Sequence, residues 1–392
     1  MSGTRSDDHA PFAGGPAHRF QTWLGLIRSG NPHVVRRALL ALLLAWLPLA
    51  LLSVLRGEAS GAGHENAFLF DFGAYSRFAL ATPFLILAES VCIPRLAAIA
   101  RQFVGSRLVA DDDDERYRYA LDSTQRLMRA RAAEVAAVLL AYALIALLYI
   151  AAAGIDVAGW HGAVHDGALR LSPAGWWSLL VSLPILLVLL LGWVWRLCLW
   201  TRFLWLMSRI DLRLVAAHPD HAGGLRFVSS SLEAFAPLGL TIGIMAVGPV
   251  ANRVVHHGAS IAEFKSTFVG VVVFVLALFA GPLLVFVRRL VREYYRGTFR
   301  YGALAVGVGQ QLERKWLTRG QPPDKSSLEV PDFSATTDLY SIVANVYAMR
   351  VLPFELRGVL LLAIVTALPF VPVALLSVPV SVILRKIASL LL

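Results

Sequence analysis

The sequence predicts an all-α fold, a polytopic bundle of about seven transmembrane helices with amphipathic helical extensions on the cytoplasmic side. Three observations carry this expectation. Of 392 residues, 57% are hydrophobic and 16% charged, with a mean hydropathy of +0.64; soluble domains hold about 45–50% and about 25%. The apolar residues gather into runs of about 20, enough for a helix to cross roughly 30 Å of hydrocarbon. Arginine, finally, is concentrated in alternate connections between those runs, as the rule for cytoplasmic loops requires.

Residues 1–35 form a polar amino-terminal tail. Its first part is rich in Gly, Ser, Pro, Asp and His, a composition that does not fold by itself. Phe20, Trp23, Leu24 and Ile27 then recur at helical spacing, which predicts a short helix lying in the membrane interface. Residues 36–392 make one transmembrane domain. The tail is too polar for a cleaved signal peptide, so the first span, 38–55, is expected to act as an uncleaved anchor.

The second span, 78–98, carries Glu89 near its middle. Asp111–Asp114 follow and read as the start of a helix, because carboxylates at an amino terminus complement the helix dipole. The third span is 135–154, and the fourth, 176–198, continues as a helix through Trp200 and Trp205 with Arg196, Arg202 and Arg209 interleaved. Aromatic rings at headgroup level beside snorkelling arginines suit an interface. Spans five and six are 232–250 and 267–287. Gly239, Gly243 and Gly248 mark a face of the fifth where helices approach closely.

A long polar region follows, with a basic helix, a break at Pro322-Pro323 and an amphipathic helix. In that helix Leu339, Ile342, Val343, Val346 and Tyr347 share one face. The last run, 358–384, contains Pro369, Pro372 and Pro379 and is expected to kink, as a seventh span or as a re-entrant hairpin.

Segments 99–134, 199–231 and 288–357 hold the arginines, which places them and the amino terminus in the cytoplasm. The net charge of +10 is then the ordinary basic excess of that side rather than a sign of nucleic acid. The Ala/Arg-rich, Lys-poor usage suggests a bacterial chain, hence its inner membrane. Cys92 and Cys198 lie in apolar runs and form no C-x-x-C pair, so neither a disulfide framework nor a thiolate site is implied. No cofactor is expected. The expected partners are the lipid bilayer and a protein partner or a second copy.

Glu89 is the first candidate site residue. A carboxylate in a span costs on the order of 3 kcal/mol to insert, so it is retained for a reason. It reads either as a site on a polar path or as a packing element paired with an arginine from a neighbouring span. Arg196 and Arg202 are placed to guard the cytoplasmic mouth of such a path. The second candidate is His218-Pro219-Asp220-His221, followed by Ala222-Gly223-Gly224-Leu225. Two imidazoles and a carboxylate suit a divalent metal; alternatively Pro219 ends a segment, Asp220 caps and the glycines turn the chain. His161 and His165 with Asp156 and Asp166, and His256 with His257, are weaker outer-loop groups in what reads as flexible loop. No H-E-x-x-H, G-x-S-x-G, P-loop or C-x-x-C is present, which weighs against hydrolase and ATPase activity.

The run Asp211-Leu212-Arg213-Leu214, His218-Pro219-Asp220 and Gly223-Gly224-Leu225 resembles a signature of uncharacterised bacterial multi-pass inner-membrane proteins. Gly281-Pro282-Leu283-Leu284, Tyr301-Gly302-Ala303-Leu304, Lys315-Trp316-Leu317 and Pro353-Phe354-Glu355-Leu356-Arg357 extend the resemblance over most of the chain. It implies the fold and no activity. It also implies Arg at the position of His221, which would leave His218 with Asp220 as the pair to test.

Three functions are therefore expected. The first is a transport or channel-like bundle with Glu89 on a polar path. The second is a membrane scaffold or sensor subunit. The third is a membrane enzyme acting on a lipid or isoprenoid near His218 and Asp220.

Overall fold

The computed structural model of the chain describes residues 12, 14, 33–57, 59, 67–151, 159–165, 168–317 and 332–377. Its helices are α1 (Val34–Leu55), α2 (Phe72–Gly105), α3 (Asp114–Met128), α4 (Arg131–Ile150), α5 (Pro173–Arg209), α6 (Arg226–His257), α7 (Ile261–Trp316), α8 (Asp332–Tyr347), α9 (Leu356–Ala367) and α10 (Phe370–Leu376). Six of them, α1, α2, α4, α5, α6 and α7, are long and apolar enough to cross a membrane. The pair α9 and α10, bent by 48° where Pro369 interrupts the helix, makes a seventh if it counts as one span. The fold is an all-α bundle. The tail helix expected near Trp23, the Pro322-Pro323 break and the end of the last run beyond residue 377 lie outside the described residues.

Several spans exceed the apolar windows because polar caps, which hydropathy ignores, set their ends. Asp71 accepts from the Ala74 N–H (3.1 Å) and starts α2. Ser172 accepts from Gly175 (2.9 Å) ahead of α5, and Ser260 with Glu263 forms a capping box that opens α7. At its other end α7 does not stop at Val287. The basic segment continues it without a break to Trp316.

Prolines write irregular turns into the spans. α1 breaks at Trp46 just before Pro48. α2 has a π-helical stretch, Tyr75–Ala81, before Pro83, and α5 has one, Ser178–Ser182, before Pro184. α7 tightens to a 3-10 stretch, Gly281–Phe286, at Pro282. Proline offers no N–H and its ring displaces the carbonyl one turn back, so the helix widens or tightens there.

α6 lies at the centre of the bundle. A Cβ at Gly243 would strike the Thr366 carbonyl of α9, and one at Gly248 would strike Ser76 of α2. The glycine face predicted for this helix thus serves two neighbours. α4 lies at the periphery, with Val135, Leu139, Leu147 and Ile150 all exposed. Between α4 and α5 a hairpin of two strands, β1 (Gly162–His165) and β2 (Ala168–Leu171), replaces the flexible loop expected there, Gly162 pairing with Leu171.

The arginine-rich connections meet at one end of the bundle, here the basic end. The Arg213 N–H donates to the Leu108 carbonyl (2.8 Å), and Arg289 reaches Ser208 (3.0 Å) and Asp211 (3.2 Å). There α8 packs on α7 through Thr336, Val343 and Val346, while Ile342 and Tyr347 of its predicted face stay exposed.

Candidate functional site

Glu89 is held between two arginines from two other spans. Arg37 Nη2, in the first turn of α1, lies 2.8 Å from Oε2, and Arg196 Nη2 of α5 lies 3.2 Å from Oε1. The two arginine side chains are 5% and 6% exposed and the glutamate 16%. Each carboxylate oxygen thus faces a guanidinium, Oε1 through a hydrogen bond from Arg196 and Oε2 through the ion pair with Arg37, and pairing of this kind is the condition under which a buried charge is tolerated. The cluster sits towards the basic end rather than mid-bundle: Arg37 begins its helix, and Trp195, next to Arg196, donates to the Leu127 carbonyl of α3 (3.3 Å).

Part of the amino-terminal tail completes the cluster. The Gly14 carbonyl accepts from Arg196 Nη2 at 2.6 Å. The Phe12 ring is fully buried, edge-on to Trp200 at 5.2 Å and to Phe203 at 5.9 Å. Arg196 also lies over the Trp193 ring, 4.4 Å from its centroid. Three buried donors have no acceptor among the described residues: Nε of Arg37, Nε of Arg196 and Nε1 of Trp200. Among the described residues two guanidiniums face one carboxylate, so the formal charge of this group is positive. Arg202 is not part of it; its Nη1 donates to Ser123 Oγ (3.0 Å) and ties α5 to α3.

At the opposite end a second carboxylate escaped the sequence reading. Asp71 accepts from Asn252 Nδ2 (2.8 Å), Trp160 Nε1 (3.0 Å) and the Ala74 N–H, while Asn252 Oδ1 takes the Phe72 N–H (2.7 Å). Burial alone would raise the Asp71 carboxyl, but the Asn252 hydrogen bond, the charge of Arg77 and the other donors hold it below its ordinary 3.8. Beside it, burial and then Arg77 push His161 down to about 4, against the pull of Asp71. His256 bonds the Phe70 carbonyl (2.8 Å) at the same corner. Of the outer-loop group, Asp156 and Asp166 and the side chain of His165 lie outside the described residues. The partners of Asp71 are 89 and 181 residues away in sequence, so no local pattern marks it.

The His218–Asp220 segment is a turn built on its own backbone. Asp220 Oδ1 accepts from the N–H groups of Ala222 (2.8 Å) and Gly224 (3.1 Å), and Oδ2 from Arg226 (3.2 Å). Burial works against its ionisation, but these N–H donors and His218 hold it below 3.8. His218 Nδ1 lies 2.8 Å from Oδ1. Gly223 (φ 64°) and Gly224 (φ 97°) take the left-handed conformations the turn needs, and His221 shares that region at φ 54°. The His221 carbonyl receives the Arg350 N–H (2.7 Å), and Arg226 pairs with Glu355. Two segments far apart in sequence, around Gly223 and around Glu355, therefore meet in space. Among the described residues no three His, Cys, Asp or Glu side chains are grouped to hold a metal ion.

The chain matches no protein-family model, no curated protein and no solved structure.

Proposed function

We propose that the chain is a multi-pass protein of the bacterial inner membrane, amino terminus in the cytoplasm, and works as a transport or channel-like bundle. Glu89 lies on its polar path and Arg196 stands at the cytoplasmic mouth. The observation that carries this reading is the Arg37–Glu89–Arg196 cluster, which joins three spans through charges and leaves donors to spare. Ionisable groups inside spans usually face the bundle interior and mark solute or ion paths. An ion-paired junction can also exchange partners with a solute, which an apolar seam cannot.

The test is flux in proteoliposomes, read with pH- and chloride-sensitive dyes. Glu89→Gln should abolish a flux shown by the wild type while leaving the melting temperature within a few degrees. Undiminished flux through that variant would remove Glu89 from any path.

A second reading, a scaffold that binds a protein partner, is favoured by the projecting α7–α8 pair. Phe299 is 75% exposed there, Leu317 74% and Phe333 50%. Its signature is equimolar co-purification of one partner, lost when Ile342 and Tyr347 become Ser and kept in Glu89→Gln. The lipid-enzyme reading gains nothing from the His218 turn, where the turn itself employs both oxygens of Asp220.

A further inference from the structure

We propose that the space filled by Phe12 and Gly14 is a binding site for an amphipathic anion, one negative group on an apolar body. These two residues occupy it as an internal competitor. This deepens the transport reading by naming a solute class, and it rests on that reading only for the idea that solute reaches the cluster.

Three features of the cluster point to this ligand. The first is charge: among the described residues Arg37 and Arg196 face a single carboxylate, and the Gly14 carbonyl that also contacts Arg196 is neutral. A neutral acceptor leaves the excess charge uncompensated in a site that water scarcely reaches, and an anion would cancel it. The second is unused capacity. The Nε atoms of both arginines, each side chain more than nine-tenths buried, have no acceptor among the described residues, and a guanidinium suits the two oxygens of a carboxylate or phosphate.

The third is shape. The tail meets the site in two parts, an oxygen on Arg196 and an aromatic ring against Trp200 and Phe203. A small inorganic anion would satisfy the first part and leave the aromatic wall empty. A cation would meet two guanidiniums. What fits both parts is an apolar body about the size of a benzyl group carrying one anionic group.

The tail holds its place by tethering. Gly14 precedes α1 by about twenty residues, which keeps the local concentration of Phe12 and Gly14 high. Displacing it would bring the anion against Arg196 and so alter the Arg196–Glu89 pair, the link between binding and any movement of the spans.

Calorimetry with phenylacetate and with laurate, on the full chain in detergent, tests the proposal. Phe12→Ala weakens the competitor and should bind one of the two probes at least tenfold more tightly than wild type. Tighter phenylacetate binding identifies a soluble organic acid, and tighter laurate binding a membrane-derived one. Adding Arg196→Gln to Phe12→Ala should abolish saturable binding. Should that double variant fail to fold, Arg196→Lys, which keeps the charge and loses the fork, should weaken binding at least tenfold.

If Phe12→Ala melts like wild type and binds neither probe more tightly, or if binding ignores residue 196, the proposal is wrong. Binding without any Glu89-dependent flux would remove the transport reading and keep the site. Flux with no saturable binding in Phe12→Ala would keep the transport reading and remove the site.

Discussion

Asp71 and Glu89 belong to one helix, α2, the first capping its start and the second near its middle, and are held in opposite ways. Asp71 is surrounded mainly by neutral donors, an indole, an amide and a backbone N–H, each committed to it. Glu89 is surrounded by charge, and its partners have capacity to spare. A carboxylate satisfied by neutral dipoles pins three segments in one arrangement. A carboxylate outnumbered by guanidiniums leaves a surplus that something else can claim. The difference separates a fastening from a site.

The sharpest way to break the comparison is to remove each carboxylate. Glu89→Ala strands two buried guanidiniums and should lose about 3–5 kcal/mol, the cost typical of breaking a buried ion pair. Asp71→Asn keeps the shape but offers one acceptor oxygen, and should lose about 1–3 kcal/mol. Unfolding in mixed micelles measures both, and a larger loss at Asp71 would reverse the ranking.

Acid should next distinguish the two carboxylate sites. The His161 imidazole has a folded value of about 4 against an ordinary 6.5. Above 6.5 it is neutral whether folded or unfolded. As pH falls from 6.5 to about 4 the unfolded chain binds the proton and the fold does not, so stability drops through that window. Asp71, held below 3.8, adds a further loss only below that value. The melting temperature should therefore slope downward from pH 6.5 to 4, and His161→Asn should flatten the slope.

The smallest effect is expected at the exposed pair Arg226–Glu355, where solvent screens both charges. Arg226→Ala should leave the melting temperature unchanged within error. A clear drop would mean that the contact between the Gly223 and Glu355 segments depends on this pair.

Much of the bundle was legible because apolar runs and alternating arginines are local signals. Leu139 and Val273 declare lipid-facing helices without knowledge of their neighbours. Glu89 was legible too, since a carboxylate in an apolar run stands out. Its partners were not: Arg37 read as an orientation marker at the start of a span, and Phe12 as part of an unstructured tail. Arg37 and Glu89 do lie at similar distances from the loop joining α1 and α2, so counting outward from that loop would have paired them. Asp71 gave no such signal. It looks like any loop acid until Trp160 and Asn252 arrive from distant parts of the chain. The ends of α2, α5 and α7 were missed because their caps are polar.

The π-helical stretch Tyr75–Ala81 has an angular consequence. Each residue of a regular helix turns the next by about 100°, so one extra residue in a widened turn rotates everything beyond it by that amount. Beyond it lies Glu89, aimed at Arg37 and Arg196; before it lies the Gly73 end, aimed at Asn252. A regular helix of the same composition would be equally apolar and would span equally well. It would satisfy one of the two carboxylates only, because bringing Asp71 to Asn252 would swing the Glu89 carboxylate about a quarter-turn away from both guanidiniums. Pro83, which favours the widened turn, thus sets the azimuth of a charge six residues further along the chain.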